Sequence, residues 1–233
     1  MLLRLLNISL LLVWAFFLVW LLTYGKGDLI RLIHPRLWWV LALAAGVLFL
    51  FFISFIVPHK QSGGETKTLV ELPALLILLI PLLFFLNARD ARLDGSAVQN
   101  RFNADESGFY SNNLPLFDLF DDTESSDMTF SKILREPQKY ENQDVAVVCQ
   151  SFVHEQLPEN TAMCFRFMIT CCAADAVPVF IFLSHQDSLK MENDRWIKVS
   201  GPLSVISNEG MEFASVGVEA LEYVEEPAFP WAL

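Results

Sequence analysis

The sequence predicts a chain of two parts. Three transmembrane α-helices come first, and a mainly β C-terminal domain follows, an OB-like five-stranded barrel with a small β-sandwich as the alternative. Three observations predict it. Hydrophobic residues make up 54% of the 233 residues although the formal net charge is −11, a pairing that a single soluble domain rarely carries. The charge is unevenly placed, with residues 1–87 at +3, residues 88–129 at −6 and residues 130–233 at −8. The acidic remainder holds five runs rich in Val, Ile and Phe, parted by turn residues as short strands are. Disordered, collagen-like, coiled-coil and disulfide-scaffold classes are excluded, and so is a wholly soluble enzyme.

The transmembrane region, residues 1–87, contains helices over about 5–24, 37–57 and 69–86. A hydrocarbon core of roughly 30 Å takes about 20 helical residues. Leu5 to Tyr24 and Leu37 to Val57 meet that length without a charge, the second with Trp38 and Trp39 at one edge and Pro58-His59-Lys60 at the other. The third run contains only Glu71, near one end and read as interfacial, and Pro81 is predicted to kink it. A cleaved signal peptide is rejected for the first run. Its apolar stretch exceeds the roughly 7–15 residues of a signal, and Leu22-Thr23-Tyr24-Gly25-Lys26 is a poor cleavage site. Two helices plus an embedded hairpin is the fallback. With three spans, Lys26, Arg31, Arg36, Arg89, Arg92 and Arg101 share one side against Arg4, Lys60 and Lys67 on the other. The positive-inside rule then narrowly favours a cytoplasmic tail.

Residues 88–129 read as a flexible acidic linker, since Asn, Ser, Asp and Gly dominate without periodicity. An apolar patch interrupts it at Phe109-Tyr110 and Leu114 to Phe120, to be docked on a partner, on the bilayer or on the tail domain. The OB-like domain spans residues 130–233. A short helix is predicted over Ser131 to Tyr140, with Ser131 as its cap and Ile133 and Leu134 turned inward. Strands follow over Val145–His154, Ala162–Cys171, Val177–Ser184, Trp196–Ile206 and Glu212–Val224. The gap from His185 to Arg195 has room for one helical turn, and five strands with such an insertion suit an OB-like barrel. Nucleic acid is not the expected partner. Phosphate binding needs Lys and Arg to displace counterions, and this domain stands at −8.

All four cysteines, Cys149, Cys164, Cys171 and Cys172, lie in this domain. Period-two alternation along the second strand puts Cys164, Arg166, Met168, Thr170 and Cys172 on one face, and Phe165, Phe167, Ile169 and Cys171 on the other. The Phe/Ile face is read as core, with Cys171 buried in it. Two thiolates and a carboxylate, from Cys171, Cys172 and Asp175, offer ligands to a thiophilic metal such as Zn, with His154 or His185 as the fourth. A thiol lowered in pKa by Arg166 would instead serve redox chemistry. For Cys149 and Cys164 the plainer reading is inert core thiols, and Asp175 is equally suited to capping a turn. An even count of four fits a disulfide pair and free thiols alike. No nucleophile elbow or zincin motif organises a hydrolase.

The segment from Phe165 through Arg166, Cys171, Cys172 and Asp175 to Ala176, followed by Trp196-Ile197-Lys198-Val199-Ser200-Gly201, resembles the YcgQ-like family of bacterial membrane proteins. The resemblance covers most of the chain: two helices, a polar loop, a third helix, a linker and a terminal β-domain. It implies a subunit of a two-component permease that pairs with a larger multi-spanning permease in the inner or plasma membrane. Arg166, Cys172 and Asp175 become the positions to watch, and the tail domain is expected outside the cytoplasm. Two departures stand against it. The loop between helices two and three offers only His59, where some relatives carry a His-rich segment, and the loop charges favour the other sidedness. The expected function is a non-enzymatic accessory subunit of a membrane permease, lodged in the lipid bilayer, whose acidic β-domain binds a cation, substrate or partner. The alternative is a membrane-tethered thiol protein with a metal or redox site at Cys171-Cys172-Ala173-Ala174-Asp175.

Overall fold

An apolar run satisfies its own backbone amides most readily as a helix, and the first two charge-free runs fold that way. The computed structural model describes residues 2–56, 79–87, 92–104, 128–155, 157–185, 191–208 and 211–232. They fall into two units, Met1–Arg92 and Leu93–Leu233. In the first unit α1 (Leu2–Thr23) leads to α2 (Lys26–Leu32), a 3-10 turn at Pro35–Leu37 and α3 (Trp38–Ile56). A further helix, α4, covers 79–87 and contains Pro81. α1 packs along α3, and its Phe17 meets Phe85 of α4 edge-to-face at 5.1 Å.

Pro35–Ser54 is the one helix among the described residues that is long and apolar enough to cross a membrane, and only 6% of that stretch is buried. Trp39, Leu43, Leu50 and Phe51 are all more than half exposed, whereas a soluble core helix turns such residues inward. A second crossing arises only if Ser9–Thr23 and Lys26–Leu32 are joined across a 92° bend. Three spans are thus not found among the described residues. The bend sets α2 apart from α1. Lys26, Asp28 and Arg31 make α2 too polar to prolong α1, and Gly25 carries the chain through the corner, with a Cβ there only 3.1 Å from Leu21. The third predicted run is described over 79–87 alone, and Glu71 lies outside the described residues.

The second unit begins with α5 (Gly95–Ala104) and α6 (Met128–Arg135), then a 3-10 turn (Pro137–Tyr140) and β1 (Asp144–Phe152). β2 (Thr161–Met168), β3 (Val177–Ser184), β4 (Trp196–Asn208), β5 (Met211–Gly217) and β6 (Ala220–Tyr223) complete it. The sheet order is β1-β2-β3-β5-β4-β6, and β1 also pairs with β4. Five strands therefore form a ring within a six-stranded mixed sheet, with β3 and β5 parallel and the other pairs antiparallel. β5 and β6 lie in succession along one edge of β4. They correspond to the single run predicted over 212–224, broken near Val218 where β4 passes close. Gly201 of β4 has φ +156, and a Cβ on it would overlap the Gly217 carbonyl oxygen, so glycine is required there.

Alternation along the strands feeds two clusters. Val145, Val147, Cys149, Cys164, Ile181, Leu183, Ile197, Val199 and Val216 form one, together with Phe130, Ile133 and Leu134 of α6. Phe152, Met163, Phe165, Phe167, Phe180 and Phe213 form the other, covered by Val98 and Ala97 of α5 and by Trp231 and Phe229 of the tail. At about 25 cal/mol per Å² of apolar surface, burying each Phe contributes roughly 1.5–3 kcal/mol. Of the predicted linker over 88–129, only residues 92–104 and 128–129 are described. Gly95–Ala104 is a helix that belongs to the β-domain's unit, which starts at Leu93. The Gly95 amide donates to Asp194, and a Cβ on Gly95 would stand 2.7 Å from the Phe152 ring. Ser131 is corrected too, since it sits buried inside α6 and caps nothing. The predicted helix ends at Arg135 because Glu136 precedes a proline and takes φ −134. Residues 191–195 form a turn without helix, while 186–190 and the patch at 109–120 lie outside the described residues.

Candidate functional site

β1 and β2 pair only over Gln150↔Phe165, Ser151↔Cys164 and Phe152↔Met163. Beyond Phe165 they part, and ladder groups on both strands need other partners. Arg166 supplies one. Its Nε donates to the Val148 carbonyl at 2.7 Å, and its Nη1 lies 3.4 Å from the Trp231 carbonyl. The tail supplies another, as the Ala232 amide donates to the Phe167 carbonyl at 2.9 Å. The guanidinium stands 5.6 Å from the Phe130 ring and 5.5 Å from the Trp196 ring, and the residue is 2% exposed. Cation–π contact with two rings offsets part of the cost of that burial. Arg166 is thus a structural staple rather than a group facing the thiols.

Just before the divergence, Cys149 and Cys164 form a disulfide with Cα atoms 5.3 Å apart, both wholly buried. They are diagonal neighbours, because Cys164 faces Ser151 in register. The plainer expectation of two inert core thiols is overturned. Both were legible as inward positions on neighbouring strands, but only the register brings the sulfurs together. With a sequence separation of 15, closing this loop is worth about 3 kcal/mol in the chain-entropy account.

Cys171 and Cys172 follow β2 in the turn to β3. The strand ends at Met168, so Cys171 is exposed instead of buried with the Phe face, and Cys172 is partly exposed. Asp175 organises the turn. Its Oδ1 accepts from the Thr170 amide at 3.1 Å and its Oδ2 from the Cys171 amide at 2.8 Å. The two sulfurs are 3.7 Å apart. The Cys171 thiol is pushed up to about 11, first by its hydrogen bond to Asp175 and then by the one to Cys172. Burial pushes the Asp175 carboxyl up, but hydrogen bonds from the Cys171 thiol and from the amides of Cys171, Thr170 and Cys172 outweigh it and hold the group below its ordinary value. Cys171 is therefore held as the thiol by Asp175 and not activated as a thiolate.

The structure brings Cys171, Cys172 and Asp175 together and leaves both histidines apart from them. In the β2–β3 hairpin, Met168 faces Val177 at the thiol end and Thr161 faces Ser184 at the other. His185 follows Ser184, its amide bonded to Asn160. His154 stacks on Phe152, which faces Met163. Roughly 23 Å of strand separates the ends, so neither imidazole completes a site with the thiols. Among the described residues no group of three His, Cys, Asp or Glu is placed to hold a metal ion. Sequence reasoning missed α5 and the tail as covers of the outer aromatic face. The signal available was apolar content at Ala97, Val98, Phe229 and Trp231.

Residues 122–232 match the DUF1980 C-terminal domain, an uncharacterised family. The matched stretch takes in α6, all six strands and the tail. No curated protein matches the chain.

Two substitutions test these assignments. Arg166→Lys keeps a charge but loses the fork that reaches two carbonyls. It is expected to lower unfolding stability by about 1–3 kcal/mol and to speed amide exchange at Ala232. Unchanged exchange would show that the tail does not depend on Arg166. Asp175→Asn is expected to raise alkylation of Cys171 at pH 8 by about tenfold or more, as the thiol falls toward its ordinary value. The depressed Asp175 carboxyl stabilises the turn fully above the ordinary carboxylate value, about 4. That contribution fades as pH falls through the depressed value. Acid loosening of the turn, followed by amide exchange at Cys171, should be present in the parent and absent in Asp175→Asn.

Proposed function

We propose that the chain is a non-enzymatic accessory subunit of a membrane permease. Its N-terminal helices lie in the bilayer against a multi-spanning partner, and its acidic β-domain stands outside the cytoplasm, where it binds a cation, substrate or partner. The observation that carries this reading is the Pro35–Ser54 helix, long and apolar enough to cross a membrane while only 6% buried within the molecule. Such a surface needs lipid or another protein's helices to cover it. The one or two crossing helices among the described residues are too few to enclose a pore, which is why the reading assigns a partner. The match to the DUF1980 C-terminal domain is compatible with the resemblance to the YcgQ-like family, from which the permease context is taken. The buried Cys149–Cys164 disulfide supports placement on the oxidising side, because cytosolic pools keep thiols reduced.

We read the five-strand ring as an OB-like barrel, on the strength of its order and the parallel β3–β5 pairing. Single-strand-binding barrels of that kind use the faces of strands two and three. Here α5 and the tail cover that face, which supports a role other than nucleic-acid binding. A second reading, a membrane-tethered thiol protein, is favoured by one observation, the 3.7 Å approach of Cys171 and Cys172 at the surface.

Purification from native membranes in mild detergent, with mass-spectrometric identification of what co-purifies, tests the leading reading. A polytopic permease in stoichiometric amount is expected. Recovery of the chain alone, under conditions that keep related permeases intact, would contradict it.

A further inference from the structure

We propose that Cys171 and Cys172 are a thiol–disulfide couple, closing into a vicinal disulfide that makes the β2–β3 turn an oxidisable switch. The inference rests on the thiol reading above, not on the permease reading.

The chain holds two cysteine pairs in opposite situations. Cys149 and Cys164 are bonded and wholly buried, out of reach of the in-line attack that disulfide exchange requires. Cys171 and Cys172 are free, one exposed and one partly exposed, with sulfurs 3.7 Å apart. Closing that gap takes rotation of two side chains and the peptide between them, with no movement of a strand. Surface pairs of this kind are the labile ones, whereas sealed pairs resist reduction. A domain that folds with one disulfide also meets oxidants able to act on a second exposed pair.

The reaction balances with a small-molecule disulfide such as glutathione disulfide as oxidant. One Cys thiol, deprotonated, attacks a glutathione sulfur and releases one glutathione thiolate, leaving a mixed disulfide. The neighbouring thiol then displaces the second glutathione, and the Cys171–Cys172 bond forms. Two protons pass from the cysteines to the two glutathione thiolates, and two electrons reduce the glutathione disulfide. Cys172 is the better first attacker, since the Asp175 carboxylate holds the Cys171 proton.

Closure has a structural consequence at Asp175. That carboxylate accepts from the amides of Thr170 and Cys171 and from the Cys171 thiol. Oxidation removes the thiol donor and turns the Cys171–Cys172 peptide, so the clamp on the 3-10 turn Ala173–Asp175 loosens just before β3 begins. The reduced turn is ordered by Asp175, and the oxidised turn is ordered by the ring.

The test uses the full chain in mild detergent, poised in a series of reduced and oxidised glutathione, quenched with acid, alkylated and digested. The peptide carrying both cysteines is expected to appear two hydrogens lighter and unalkylated in oxidising buffers. It should return to the doubly alkylated form on mild reduction, while Cys149–Cys164 stays closed throughout. Cys171→Ser should give only a mixed disulfide at Cys172. Two results overturn the inference while leaving a surface thiol site in place: double alkylation at every poise, or glutathione stably attached without ring closure. Failure of both thiols to react with glutathione or with the alkylating agent after native incubation overturns the inference and the thiol reading together.

Discussion

The β-domain depends on what happens where β1 and β2 part. A ring of five strands needs β1 paired on both sides, yet its ladder to β2 lasts only from Gln150 to Phe152. Past that point one side chain stands in for backbone. Arg166 bonds the Val148 carbonyl, reaches toward Trp231 and lies over Phe130 and Trp196. It therefore joins β1, β2, β4, α6 and the tail in a single contact set. The cystine at Cys149–Cys164 pins the strands just ahead of the gap. Buried guanidinium groups are expensive, and several partners at fixed geometry make this one tolerable. Removing any partner disturbs a group that four other elements share.

This arrangement also explains how the second strand was misread. Alternation correctly separated Cys164, Arg166 and Met168 from Phe165 and Phe167, but it implied one buried face. Both faces of β2 are buried, since α5 and the tail cover the aromatic side. Nothing within the strand's own residues announces a cover supplied by Val98 and Trp231, which are distant in sequence. Extending the strand to Cys171 followed from its apolar composition. The Asp175 turn, made of hydrogen bonds to Thr170 and Cys171, ended it three residues earlier.

Strand positions were legible because inward Val, Ile and Leu recur every second residue in β1, β3 and β4. The disulfide was not, because four inward or terminal cysteines fit several pairings and only register selects one. In the N-terminal unit, hydropathy marked the apolar runs but not the corner at Gly25, where polar α2 turns away from α1. The proposed histidine ligands failed for a related reason: sequence proximity to strand ends says nothing about which end, and the hairpin register places them opposite the thiols.

Function and thiol chemistry converge on compartment. A sealed cystine, an exposed cysteine pair and an apolar helix needing lipid all make sense if the β-domain works outside the cytoplasm, and that placement is the central claim. Protease added to intact spheroplasts, with an epitope placed after Ala232, tests it most directly. The account predicts loss of the membrane-bound epitope without permeabilisation, alongside an untouched cytoplasmic control. An epitope protected until the membrane is opened would contradict it.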